Sequence, residues 1–133
     1  MTSENPVFTA AEVAYLTGQR LGRLATLKRG GRLQNNPVGF RLREDGTIDI
    51  RGRNLGASAK FGNVRRHAQV ALVVDDLASV SPWVVRCVEI RGRAEAVDGI
   101  PATGYFSGEV IRVIPEQVIS FGLPGERWSN RRV

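Results

Sequence analysis

The chain is poor in reactive side chains, with one cysteine, one histidine and one methionine in 133 residues. A single thiol, Cys87, excludes an internal disulfide and fits a reducing cytosol. With His67 as the only histidine, no metal-ligand spacing and no Ser/His/Asp arrangement exists, so neither a metal centre nor a nucleophilic triad is expected. No apolar run approaches the roughly 18 residues that a membrane span needs. The stretch Met1-Thr-Ser-Glu-Asn-Pro6 has no basic and apolar pattern of a secretory signal. Aromatics make up only 7% of the chain and are not interleaved with its basic residues, which argues against a nucleic-acid partner. The expectation is a cytoplasmic protein that binds neither membrane nor nucleic acid.

What is present is ordinary for a globular chain, with 42% hydrophobic and 24% charged residues. The length gives room for one domain over 1–133 and one core. A net charge of +6 makes an anionic partner plausible. Fifteen glycines suggest many tight turns, as in a mainly β fold.

Patterning supports that class. Thr9-Ala-Ala-Glu12 is a capping box, opening a short helix through about Thr17 with Val13 and Leu16 on one face and Gly18 as its stop. Strands follow at Leu21 to Leu27, Leu33 to Arg43 and Thr47 to Arg51, the last with Ile48 and Ile50 inward. Val70 to Val74 is an apolar run that reads as buried on both faces. Val84 to Ala96 alternates Val88, Ile90, Gly92 and Ala94 against Glu89, Arg91, Arg93 and Glu95. Glu109 to Ile114 is the last strand, ended by Pro115. Six strands with short connections predict a small closed or nearly closed barrel.

Two segments stand out. Between the strands at Leu21 and Leu33 lies a Gly30-Gly31 turn, and the second strand carries Gln34-Asn35-Asn36 followed by Pro37. A proline removes a ladder donor and is confined to edges, bulges or strand ends. That edge is either a bulged, solvated strand or a surface offered to a planar, hydrogen-bonding ligand. The other segment, Ala57 to Arg66, reads as a short helix with Ser58 as N-cap and Phe61 and Val64 on its buried face. Lys60 falls in its first turn, where the helix dipole disfavours a cation by some tenths of a kcal/mol, and Gly62 costs about 1 kcal/mol relative to alanine. Lys60 either reaches into solvent or joins the free amides in receiving an anion. Phe40, Phe61, Trp83, Tyr105, Phe106, Phe121 and Trp128 read as core or pocket lining.

The order of these motifs is Arg-Leu-Ala-Thr-Leu, a glycine turn, Asn-Pro-Val-Gly-Phe, Ser-x-Lys-x-x-Asn-Val-Arg-Arg, Val-Ala-Leu-Val-Val-Asp-Asp and Val-Glu-Ile-Arg-Gly-Arg-Ala-Glu. It resembles the pyridoxamine 5'-phosphate oxidase-like split β-barrel superfamily from about Val7 to Leu123. Within that superfamily it looks closest to the branch using the 8-hydroxy-5-deazaflavin coenzyme F(420). The resemblance implies a six-stranded split barrel with short helices and an oxidoreductase that passes a hydride to or from a small organic substrate. It maps Asn36, Pro37 and Val38 to contacts with the coenzyme ring, with Gln34 nearby, and Ser58, Lys60 and Asn63 to its phosphate.

Flavin mononucleotide (FMN) enzymes of the superfamily usually carry an arginine where this chain has Ala59, and an Asn-Pro or Asp-Pro where it has His67-Ala68. FMN is therefore the alternative cofactor. A binding protein without turnover would use the same residues. The chain is also shorter than true pyridoxamine phosphate oxidases, so vitamin salvage is not expected. Arg51, Arg53, Lys60, Arg65 and Arg66 suit the phosphodiester and γ-glutamyl tail of F(420), because arginine grips carboxylates bidentately. The alternative for Arg51, as for Arg91 and Arg93, is the outward face of a strand. The resemblance further implies a homodimer with two sites across a twofold interface. Val84 to Ala96 and the tail from Ile119 are expected there, with Trp83 and Arg86 reaching the partner's site.

Overall fold

A computed structural model describes residues 4–133. Met1, Thr2 and Ser3, the start of the stretch read for a signal, lie outside the described residues. Two helices, α1 (Ala10–Thr17) and α2 (Ala59–Arg66), accompany strands β1 (Leu21–Leu27), β2 (Leu33–Gly39), β3 (Arg41–Leu42), β4 (Ile48–Ile50), β5 (Gln69–Ser79), β6 (Val84–Val97), β7 (Val110–Phe121) and β8 (Ser129–Arg132). The strands form one antiparallel sheet in the order β2-β1-β5-β6-β7-β4-β3, with β8 also on β7. Its two ends, β2 and β3, are consecutive pieces of one chain segment parted only at Phe40. The sheet therefore curls back to its starting edge, which is the split barrel expected from the sequence.

Alternation decides the core. Leu24, Leu72, Val74, Val88, Ile90, Ile48, Ile50, Ile111, Val113 and Val118 have no exposed surface, and each such side chain contributes roughly 1.5–3 kcal/mol by burial. The inward set of β6 is the one its alternation predicts, and its charged residues point outward. In α2, Phe61 and Val64 are buried as read, and Ser58 Oγ accepts the Phe61 amide at 3.3 Å.

Eight strands form where the sequence predicts six. The segment from Leu33 is not one strand to Arg43, because the break at Phe40 turns it from β1 to β4. Nor is it bulged: β2 pairs with β1 without a register shift, and Pro37 is tolerated because β2 is a terminal strand of the order. Strand β7 does not stop at Pro115. It continues through a bulge in which Gly92 stands opposite Pro115, while Arg91 stands opposite Gln117. A Cβ at Gly92 would lie 2.2 Å from the Ile114 carbonyl oxygen, so only glycine admits this close approach. Strand β5 runs on to Ser79, and its Ala71 and Val73 are half-buried, so only one face belongs to the core. Strand β8 is polar, and its sequence shows no apolar alternation to reveal it.

The capping box of α1 forms, with Glu12 Oε1 accepting the Thr9 amide at 3.0 Å and Thr9 Oγ1 accepting the Glu12 amide at 3.2 Å. Glu12 is nonetheless fully buried. Its carboxylate also accepts Ser120 Oγ at 2.6 Å and the guanidinium of Arg131 at 2.5 and 3.0 Å. One buried ion pair thus ties the first helix to the last strand.

Candidate functional site

Strand β2, the turn before α2 and the loop between β6 and β7 enclose a cavity of about 330 Å³. Its wall includes Pro37, Val38, Arg51, Arg53, Ser58 and Lys60. Those residues come from two separated segments, the loop with Tyr105 and Phe106 adds a third, and their meeting is a product of the fold. The volume lies at the lower end of the usual range for ligand pockets, about 300–1,000 Å³, and suits a single ring system.

The edge strand supplies one side. Val38 is buried and Pro37 exposed, and the Pro37 ring leaves no N–H there. The α2 N-terminus supplies another. Ser58 Oγ donates to the Leu55 carbonyl at 2.6 Å while capping Phe61, which fixes the start of the helix. The first-turn amides of Ala59 and Lys60 have no intrahelical acceptor, as at any helix start. Lys60 and Arg53 have neither a hydrogen-bond nor an ion-pair partner among the described residues, and no acidic residue lines the cavity. Desolvated anions fit such a wall, because free amides and two uncommitted cations converge on it.

Arg51 is committed differently. Its Nη2 donates to the carbonyls of Pro101 and Ser107 at 3.1 and 2.7 Å, and the guanidinium lies 5.3 Å from the Phe106 ring centre. It fastens the β6–β7 loop, which brings Tyr105 and Phe106 to the cavity in an edge-to-face pair at 5.6 Å. Ser107 and Glu109 hold the base of that loop: the Leu55 amide donates to Ser107 Oγ at 3.0 Å and the Gly56 amide to Glu109 at 2.8 Å. The Ser107 hydroxyl and the Gly56 amide keep the Glu109 carboxyl below the usual range. From sequence Tyr105 and Phe106 read only as core or pocket lining, and the one signal for a site is two adjacent aromatics in a glycine-flanked loop.

The other predicted positions lie outside this lining. Gln34, Asn36 and Asn63 form an amide chain beside it, and Asn63 is buried with 1% exposure. Arg66 donates to Asn63 Oδ1 at 2.7 Å. Arg65 pairs with Asp98 at 2.9 Å and lies 4.8 Å over the Phe61 ring. Neither Arg65 nor Arg66 therefore joins the cation set on the cavity wall. Arg86 is held by both carboxylate oxygens of Asp76, which also accepts the Tyr15 hydroxyl at 2.9 Å. Burial, followed by the charged Asp76, pushes the Tyr15 phenol far above its ordinary value. Trp83 stands 67% exposed at the β5–β6 turn and does not line the cavity.

A second, larger groove of about 620 Å³ crosses the outer side of the sheet, between Leu33 and Arg132. None of the predicted ligand-binding residues lines it. Among the described residues no group of three or more His, Cys, Asp or Glu could hold a metal. Nor, among the described residues, is any helix long and apolar enough to cross a membrane.

Comparison with known proteins matches this architecture. The chain is 42% identical over 122 residues to 5a,11a-dehydrotetracycline/5a,11a-dehydrooxytetracycline reductase of Streptomyces rimosus, covering 90% of this chain and 86% of that protein. A conserved hypothetical protein from Mycobacterium tuberculosis shares the fold with a TM-score of 0.70 at 21% identity, covering 91% of this chain and 90% of its own. A putative pyridoxamine 5'-phosphate oxidase from Listeria innocua does so with a TM-score of 0.63 at 19% identity, over 84% and 95% of the two chains. The model of the pyridoxamine 5'-phosphate oxidase family matches residues 8–132. From strand order to motif order, the chain belongs to the pyridoxamine 5'-phosphate oxidase family.

Proposed function

We propose that the chain is a reductase that binds the deazaflavin coenzyme F(420) in the cavity between β2 and α2 and reduces a small organic substrate. The observation that carries this reading is the cavity wall, where the Pro37-Val38 edge meets two uncommitted cations, Arg53 and Lys60, without an acid. The relative named as a reductase supports the reaction class. When bound in its reduced form, the coenzyme supplies a hydride, and the acceptor takes up a proton to complete a two-electron reduction.

The chain's own part is to orient and shield. The backbone at the Pro37-Val38 step, which lacks the Pro37 N–H, offers a donor-poor edge to a ring. The amides of Ala59 and Lys60 and the Lys60 ammonium receive the phosphate, and Arg53 receives the acidic tail. Ala59 leaves this cradle without the arginine usual in FMN enzymes, which favours a ligand whose anionic groups extend beyond one phosphate. Tyr105 and Phe106 stand at the mouth, where they limit water at the exposed ring face.

Titrating the protein with F(420) and with FMN, followed in the visible spectrum, tests the reading. Tight binding of F(420) and weak binding of FMN is the expected result. Tighter binding of FMN would make the protein a flavin enzyme instead.

A homodimer belongs to the same proposal. A cavity of about 330 Å³ holds a ring but not a whole coenzyme, and a second protomer across a twofold axis would extend it. The exposed Leu33, Trp83 and Trp128, with the outer groove, are the surfaces a partner would cover. Arg86 would then serve the partner's site from its Asp76 clamp. Sedimentation at micromolar concentration should show twice the monomer mass of 14.6 kDa; a monomer would refute it.

A further inference from the structure

Alternate residues of a strand share a face, so Gln34, Asn36 and Val38 point the same way. All three are at least half-buried, while Leu33, Asn35 and Pro37 are exposed. Two amides inside a barrel edge need partners, and their partners form a directed chain. Arg66 Nη2 donates to Asn63 Oδ1 at 2.7 Å. Asn63 Nδ2 donates to Thr26 Oγ1 and to Gln34 Oε1, each at 3.1 Å. Gln34 Nε2 donates to Asn36 Oδ1 at 2.7 Å. Asn36 Nδ2 then has no acceptor among the described residues, and its chain neighbours Pro37 and Val38 line the cavity.

The direction of this chain has a physical cause. A carboxamide can present either its oxygen or its NH2, but a guanidinium has only donors. Arg66 therefore fixes the oxygen of Asn63 toward itself and the NH2 toward Gln34. That fixes the oxygen of Gln34, then its NH2, then the oxygen of Asn36. The last free group is an NH2.

We infer that Arg66, acting through Asn63 and Gln34, directs the Asn36 amide so that it donates to the carbonyl edge of the bound ring. Flavins and deazaflavins share that edge, a pyrimidinedione with acceptor oxygens. Asn36 is thereby a ligand-contacting residue, and Arg66 is a positioning residue. This rests on the ring-binding reading above and changes the part given to Arg66 from a cation for the tail to the origin of amide polarity.

The test uses the deazaflavin riboside, which has the ring but neither phosphate nor tail. Asn36→Asp keeps the shape and replaces the donor by an acceptor, and it should weaken binding of this probe by about tenfold or more. Arg66→Met should weaken it severalfold, equally at low and high salt, and Arg66→Lys should restore it, because an ammonium also only donates. In the wild type the Asn36 side-chain NH2 resonance should move when the probe is added. Thermal midpoints identify any variant that fails to fold, and the wild-type resonance then decides alone. Wild-type affinity in Asn36→Asp, or an unmoved NH2 resonance, would overturn the inference while leaving the coenzyme reading standing. A loss in Arg66→Met that vanishes at high salt would return Arg66 to a charge role and equally overturn it. Failure of the wild type to bind either the riboside or the whole coenzyme would sink both.

Discussion

An Arg131→Met variant is expected to lose about 3 kcal/mol of stability, the lower end of the range for removing one partner of a buried ion pair. The lower end applies because Glu12 is fully buried whereas the Arg131 side chain is 29% exposed. Burial alone would raise the Glu12 carboxyl, but its bonds from Arg131, Ser120 and the Thr9 amide outweigh that and leave it below its ordinary value. A depressed carboxyl contributes stability that is complete above the unfolded value and is lost as pH falls through the folded one. In the variant the unpaired carboxyl is raised by burial, so protonation there relieves the damage. The stability gap between wild type and variant should therefore be widest near neutral pH and narrow on acidification. Urea unfolding across that range measures it. A gap that stays constant with pH would mean that Arg131 acts by packing, and that the pair is not ionic.

Lys60→Ala is expected to weaken F(420) binding by about 1.5–3 kcal/mol, the range for a charge-assisted hydrogen bond, or roughly 10- to 150-fold. Its thermal midpoint should stay near that of the wild type, because the Lys60 side chain has no partner among the described residues. Arg53→Glu should act on a different part of the coenzyme. Its effect should grow with the length of the glutamyl tail and fade with salt, since exposed charges are screened over about 8–10 Å at physiological ionic strength. The sequence alone directs this experiment at Arg65 and Arg66, but their bonds to Asp98 and Asn63 move the tail assignment to Arg53. Wild-type affinity in Lys60→Ala would place the phosphate elsewhere.

Local chemistry explains what the sequence reveals. The Thr9–Glu12 box, the Ser58 cap and the inward set of β6 are written in residues a few positions apart, and all three form. Long-range partners are not legible in this way. Glu12 looks like a capping residue and nothing more until Arg131, 119 positions on, arrives beside it. Pro115 looks like a strand end because its answer, the bare backbone of Gly92, lies on another strand. Strand β8 exists only because the remaining edge of β7 is open to it.

The site divides along the same line. The Pro37-Val38 edge and the Ser58–Lys60 helix start are short motifs, and the fold brings them to one cavity. Gln34, Asn36 and Asn63 carry amides whose partners only the packed structure supplies. Arg51 reads in the sequence as one of the cations for the coenzyme tail, and its bonds to Pro101 and Ser107 make it a loop fastener.

The most direct measurement is a crystal structure of the protein with F(420). The account predicts the ring against Pro37 and Val38, its phosphate within hydrogen-bond reach of Lys60 and the α2 N-terminus, and its carbonyl edge toward Asn36. A coenzyme found in the outer groove between Leu33 and Arg132, with the β2–α2 cavity empty, would contradict it.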